Sequence, residues 1–191
     1  MRARFTIFCL PGLAAALLAL SLHPAARAAG ETENYSATVI PLAGYAGASA
    51  RIVVRITAYT SDAERKQLLE AFKKDNQEAG MAVLRKMSKG YITVEGQQGR
   101  KILAAFSRTG SQGRRLVLIT EHVLSQYEKN EGVRAQDYPC TVLRITFDTQ
   151  GNPQDGEVFP GARFRVTEEG FVDVETQTKS TAKVINIVRQ G

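Results

Sequence analysis

The residues best suited to chemistry in this chain are Cys140, His122 and Asp137. Cys140 stands in "RAQDYPCTVLRITFD", with an acid and an aromatic ring shortly before it and a strand-like run after it. A cysteine nucleophile acts as the thiolate and needs a nearby base or a helix N-terminus to form it. His122 would be the base and Asp137 its orienting partner, the set of a thiol-dependent hydrolase or transferase. The local pattern argues against this. Pro139 precedes the cysteine and a strand follows, so no helix dipole is in place to activate it. Leu143, Ile145 and Phe147 form the apolar face of the strand. Cys140 shares its parity with Val142, Arg144 and Thr146, the mixed face. The bland reading of Cys140 is a small apolar residue opening a strand, and no catalytic residue is assigned.

Other chemistries lack a complete set. One His and one Cys beyond the N-terminal segment cannot close a zinc site without several carboxylates. "DTQGNPQDG" brings Asp148, Asn152 and Asp155 together but lacks calcium-loop spacing, and reads as a polar hairpin turn. "GQQGRK" at 96–101 is not a phosphate-binding loop, and there is no G-x-S-x-G elbow. Glu168, Glu169, Asp173 and Glu175 lie in a C-terminal hairpin. Asp173 and Glu175 share a strand face about 7 Å apart, conceivable as a glycosidase pair but more simply an exposed charged face. The chain has no Trp, and no aromatic interleaving marks a nucleic-acid surface. No cofactor and no metal are expected.

The N-terminus reads as an export signal. Arg2 and Arg4 precede an apolar run to Leu22, and Ala26 and Ala28 have signal-peptidase spacing. Cleavage is expected after Ala28, leaving 29–191. Loss of Arg2, Arg4 and Arg27 lowers the net charge from +6 to +3, an ordinary value for a soluble domain. His23 and Cys9 leave too, so Cys140 is alone and cannot pair within the chain. No second run is apolar enough to span a membrane. The chain is expected in the periplasm or secreted.

The positioning elements follow from periodicity. Residues 29–50 read as a flexible lead-in with a short strand near Val39, and 51–191 as one β-rich domain. "RIVVRITAYT" alternates Ile52, Val54, Ile56 and Ala58 against Val53, Arg55, Thr57 and Tyr59. "SDAER" is a capping box, Ser61 with Glu64, opening a helix over 61–74 that buries Leu68, Leu69 and Phe72. A second, shorter helix over 77–90 buries Val83, Leu84 and Met87 and stops at Gly90. Short strands then run to the C-terminus. "VVRITAYT" and "VLRITFDT" echo each other, which sets Arg55 and Arg144 on equivalent strand faces. The expected fold is α+β, mainly antiparallel β, a sandwich or strongly curved sheet with one helical pair after an early strand.

"RITAYTSDAERKQLLEAF", "RRLVLIT" and "QDYPCTVLRITFDTQGNPQDGEV" resemble a group of small exported bacterial proteins of unknown function. Their pattern is a strand, a capped helical pair, a T-D-R-P-I-like segment, then D-Y-P-F before a long strand, and it covers about Arg51 to Asn186. This chain has "TEHVL" in place of the T-D-R-P-I-like segment and Cys140 in place of the Phe. The resemblance implies an aromatic core site at Cys140 and carries no activity, cofactor or catalytic residue. The function expected is a non-catalytic domain binding a cell-envelope or extracellular protein or ligand through the long polar connection 121–138, with no nucleic acid.

Overall fold

The structure, a computed structural model, describes residues 32–42, 48–73, 76–121, 140–166, 172–176 and 182–191. The expected signal segment lies outside these residues. The described elements are β1 (Glu33–Pro41), β2 (Ala50–Ile56), α1 (Asp62–Phe72), α2 (Gln77–Lys86), β3 (Gly90–Val94), β4 (Arg100–Gly110), β5 (Gly113–Glu121), β6 (Cys140–Phe147), β7 (Pro153–Val166), β8 (Val172–Thr176) and β9 (Ala182–Gln190).

Every strand pairing is antiparallel, and the order β6-β5-β4-β3-β2-β1-β9-β7 returns to β6 through the β6–β7 ladder. Eight strands therefore close a barrel, with two helices inserted between β2 and β3. The fold is mainly β, and the strongly curved alternative is the one realised. Closure depends on β7, which is long enough to serve three partners. Its first part pairs with β6 on one edge and, at Gly156–Val158, with β9 on the other. From Ala162 onward that second edge passes to β8, which extends the sheet outside the ring. Residues 33–41, read from sequence as holding only a short strand in a lead-in, form a nine-residue strand between β2 and β9. Without β1 the ring would be open.

Strand parity divides the apolar residues into two cores. The inward set includes Tyr35, Ile52, Val54, Ile56, Leu116, Leu118, Leu143, Ile145 and Val184 and fills the barrel. The outward set on β4 to β7 (Leu103, Ala104, Ile119, Cys140, Val142, Phe164) is covered by Leu68, Phe72, Met81 and Leu84 of the helices. A register shift after Ile102 lets consecutive Leu103 and Ala104 both face the helices while Ala105 turns inward. On β2 the apolar parity, Ile52, Val54 and Ile56, faces inward, and Arg51 and Arg55 stand exposed outside. No helix among the described residues is long and apolar enough to cross a membrane.

The helical pair is pinned at three points. The capping box is present: Ser61 Oγ accepts from the Glu64 amide at 3.3 Å, and Glu64 Oε2 accepts from the Ser61 amide at 2.8 Å. Glu64 also receives Lys89 Nζ at 2.7 Å, which ties the start of α1 to the residue before β3. Burial pushes the Glu64 carboxyl up, but the Lys89 and Ser61 bonds outweigh it and hold it below its ordinary value. At α2 the Gln77 side chain both donates to the carbonyl and accepts from the amide of Phe164 on β7, as a neighbouring strand would. Between the helices, the Phe72 ring lies against Gly80, where a Cβ would meet the ring at 2.0 Å. The second helix is shorter than the 77–90 expected, and Met87 to Lys89 turn the chain into β3. Gly90, at φ 135°, then passes so close to β2 that a Cβ would lie 1.9 Å from the Arg55 carbonyl.

Candidate functional site

The strand face predicted for Cys140 is the one observed, and the helices make it a buried face. Cys140 is 0% exposed, with its Sγ 3.4 Å from Met81 Sδ under α2. Burial pushes its thiol up to about 12, the Glu121 carboxylate adds to that rise, and Arg85 opposes it. Thiolate chemistry needs the opposite environment: partial exposure and a nearby positive charge that dominates. His122 and Asp137 lie outside the described residues.

Of the remaining sequence candidates, Asp148 and Asp155 are bonded within the β6–β7 hairpin. Asp148 caps its own hairpin: Oδ1 accepts from the amides of Gln150 (2.9 Å) and Asn152 (2.8 Å), and Oδ2 accepts from Asn152 Nδ2 (3.0 Å). Those bonds hold its carboxyl below the ordinary value. Asp155 accepts instead from Thr146 Oγ1 across the β6–β7 ladder. The first four residues of "GQQGRK" lie in the turn between β3 and β4, and Arg100 and Lys101 open β4. Asp173 and Glu175 are in register with Arg165 and Arg163 of β7, whereas Glu168 and Glu169 lie outside the described residues. No group of three potential metal ligands occurs among the described residues.

A polar cluster that sequence reasoning missed closes one end of the barrel. Glu33 at the start of β1 has a side chain that is 0% exposed, and Arg114 at the start of β5 is 11% exposed. Arg114 Nη2 donates to Glu33 Oε2 at 2.9 Å and to the Tyr59 hydroxyl, and Arg114 Nε donates to Ser107 Oγ at 2.8 Å. Tyr35 OH donates to Glu33 Oε2. The guanidinium also lies over the Phe147 ring, 4.7 Å from its centroid, and Phe147 meets Tyr35 edge-on at 5.7 Å. Burial pushes the Glu33 carboxyl up, but the bonds from Tyr35 and Arg114 and the Arg114 charge outweigh it, so it sits below its ordinary value. Burial and the Glu33 charge raise Tyr35 to about 12 and raise Tyr59 as well. Arg114 loses by burial and gains more from Glu33, so it too is raised.

These shifts push each group away from neutrality. Glu33 stays ionised, both phenols stay protonated and Arg114 stays charged. A general acid or base has its pKa near the working pH, so the cluster reads as a lock on the barrel end. The available signal was parity. Glu33 alternates with Tyr35 and Ala37, and Arg114 with Leu116 and Leu118. A charge on the apolar parity of a strand needs a partner inside.

The long connection begins and ends at the opposite end of β5 and β6. Glu121, the last residue of β5, is the register partner of Cys140, the first residue of β6. Arg85 Nε donates to Glu121 Oε1 at 2.7 Å and joins this point to α2. Residues 122–139 between them lie outside the described residues. No family model matches the chain, and no curated protein or solved structure is significantly similar to it.

Proposed function

We propose that this chain is an exported, non-catalytic binding domain that contacts a partner of the cell envelope or extracellular space through the segment 121–138. The observation that carries the reading is the pairing of Glu121 with Cys140. The chain leaves the barrel and returns at adjacent strand positions, so the β5–β6 ladder is complete whatever the insertion contains. Insertions held by a rigid scaffold in this way commonly carry recognition. The burial of Cys140 supports the non-catalytic half, and the basic, apolar N-terminal segment supports export.

The test compares the chain with a deletion of 125–134 as bait in envelope extract. The expected result is a partner that the intact chain retains, that binds again when purified, and that the deletion loses while its urea midpoint stays unchanged. Retention of every partner by the deletion refutes the assignment to this segment.

A further inference from the structure

The β4–β5 hairpin runs on past the start of β3. On the edge away from β5, β4 pairs with β3 only at Arg100, Lys101 and Ile102. Beyond that, single residues take over. Lys89 donates its amide to the Ile102 carbonyl at 2.7 Å. Thr60 donates its amide to the Ala105 carbonyl at 2.9 Å, and its Oγ1 accepts from the Ala105 amide at 3.0 Å. Backbone groups along a strand turn to alternate edges, so Ala105 sets the phase. The N–H and C=O of Ser107 and Thr109 point to the same edge as those of Ala105, away from β5. Among the described residues no backbone hydrogen bond reaches them there. An unpaired edge of this kind is a template for another strand.

The charges beside this edge oppose one another within the sheet. Arg108 is exposed and stands directly opposite exposed Arg115 on β5, on the outside of the barrel. Like charges so placed destabilise a strand pair. Among the described residues no acid forms an ion pair with either of them. The neighbouring charges are engaged elsewhere. Arg65 lies over the Phe106 ring and 3.9 Å from Asp62. Arg114 is locked to Glu33 inside the barrel, and Arg144 pairs with Glu157. Asp155 shares a cross-strand row with Arg115, but it bonds to Thr146, which stands between them.

We propose that this edge binds an extended acidic peptide segment of another protein by strand addition, with its backbone on Ser107 and Thr109 and a carboxylate facing Arg108 and Arg115. A strand edge is read by another extended backbone, whose donors and acceptors repeat at the same spacing. A residue opposite Arg108 carries its side chain on the arginine side of the sheet, so the charge there selects Asp or Glu. The same charge sets a second copy of this chain aside. Two β4 edges paired through Ser107 and Thr109 would bring one Arg108 against the other.

The inference is independent of the loop reading, because the hairpin tip stands at the opposite end of β5 from Glu121. The probe is a capped heptapeptide of alternating valine and threonine with glutamate at its centre, compared with the same peptide carrying lysine there. Fluorescence anisotropy measures binding to the purified chain, and amide exchange followed by NMR locates it. The glutamate peptide is expected to bind roughly threefold or more tighter than the lysine peptide, and to slow exchange at Ser107 and Thr109. Arg108→Glu should reverse that preference. Thr109→Pro removes a donor from an open edge, where proline is tolerated; it should abolish binding and leave the urea midpoint little changed. Deletion of 125–134 should alter none of this. Failure of the glutamate peptide to bind overturns the proposal, as does undiminished binding by Thr109→Pro or an unchanged preference in Arg108→Glu. Slowed exchange at the same two amides on concentrating the chain alone would make a second copy the occupant, and would overturn it too.

Discussion

Replacing Arg114 by Met tests the lock at the barrel end. The variant keeps much of the aliphatic stem but removes the cation. Glu33, with no exposed side-chain surface, then keeps a buried negative charge without its guanidinium. Breaking a buried ion pair from one side costs about 3–5 kcal/mol, and the lost position over Phe147 adds about 1 kcal/mol. A loss near 4 kcal/mol at neutral pH is expected, a large part of the roughly 5–15 kcal/mol that holds a domain together. The pH dependence is more telling than the size. In the parent chain Glu33 lies below its unfolded value, so its stabilisation is present above the ordinary carboxylate pKa and is lost as pH falls through the depressed folded value. In Arg114→Met burial is still opposed by the Tyr35 bond but no longer by that cation, so the carboxyl rises from its parent value. Part of the penalty is then relieved as pH falls and Glu33 takes a proton. Urea denaturation at neutral pH and at about pH 4.5 should show a smaller difference between parent and variant at the lower pH. Glu33→Gln in the Arg114→Met background should recover about 2 kcal/mol at neutral pH. A cost below about 1 kcal/mol, or one equal at both pH values, would refute the lock.

Two further outcomes follow from the helical layer. Gly80→Ala gains about 1 kcal/mol in helix propensity, but its Cβ would stand 2.0 Å from the Phe72 ring; a net loss of about 1–3 kcal/mol is expected, partly relieved by Phe72→Leu, and a raised urea midpoint for Gly80→Ala alone would refute the packing. Cys140, with its thiol at about 12 and no exposed surface, should resist iodoacetamide in the native chain and react fully in guanidinium; rapid labelling of the folded chain would reopen the thiol-dependent reading.

The parts of the fold legible in sequence were those set by local rules. The Ser61–Glu64 box is a matter of spacing, and Ile52, Val54 and Ile56 point inward because a strand alternates. Arg55 and Arg144, matched through the internal echo, both project outward; Arg144 there pairs with Glu157 and lies 4.9 Å over the Phe159 ring. What local rules do not encode is which strands meet. β1 looked short because "NYSATVIP" is only weakly apolar, yet the long-range pairings with β2 and β9 make all nine residues a strand. The Glu33–Arg114 pair spans 81 positions and becomes visible only when β1 and β5 face each other across the barrel. Cys140 was harder to read for the same reason. Parity put it on a mixed outer face, but only the docking of Met81 shows that its end of that face is dry.

Where the helices dock also determines where recognition can occur. On β4 to β7 the outward positions under the helices are apolar, and they become core because α1 and α2 bury them. Arg144 and Thr146, further along β6 on the same parity, lie beyond that cover and are polar. On β2 the outward positions are Arg51, Val53 and Arg55, all exposed, with no helix of the described residues packed above them. A barrel whose interior is filled by Tyr35, Leu116, Leu143 and their neighbours leaves only its ends and its outside open to other molecules. One end is closed by the Glu33 lock, and the Glu121–Cys140 pair marks the opposite end of β5 and β6, where the 122–139 insertion departs.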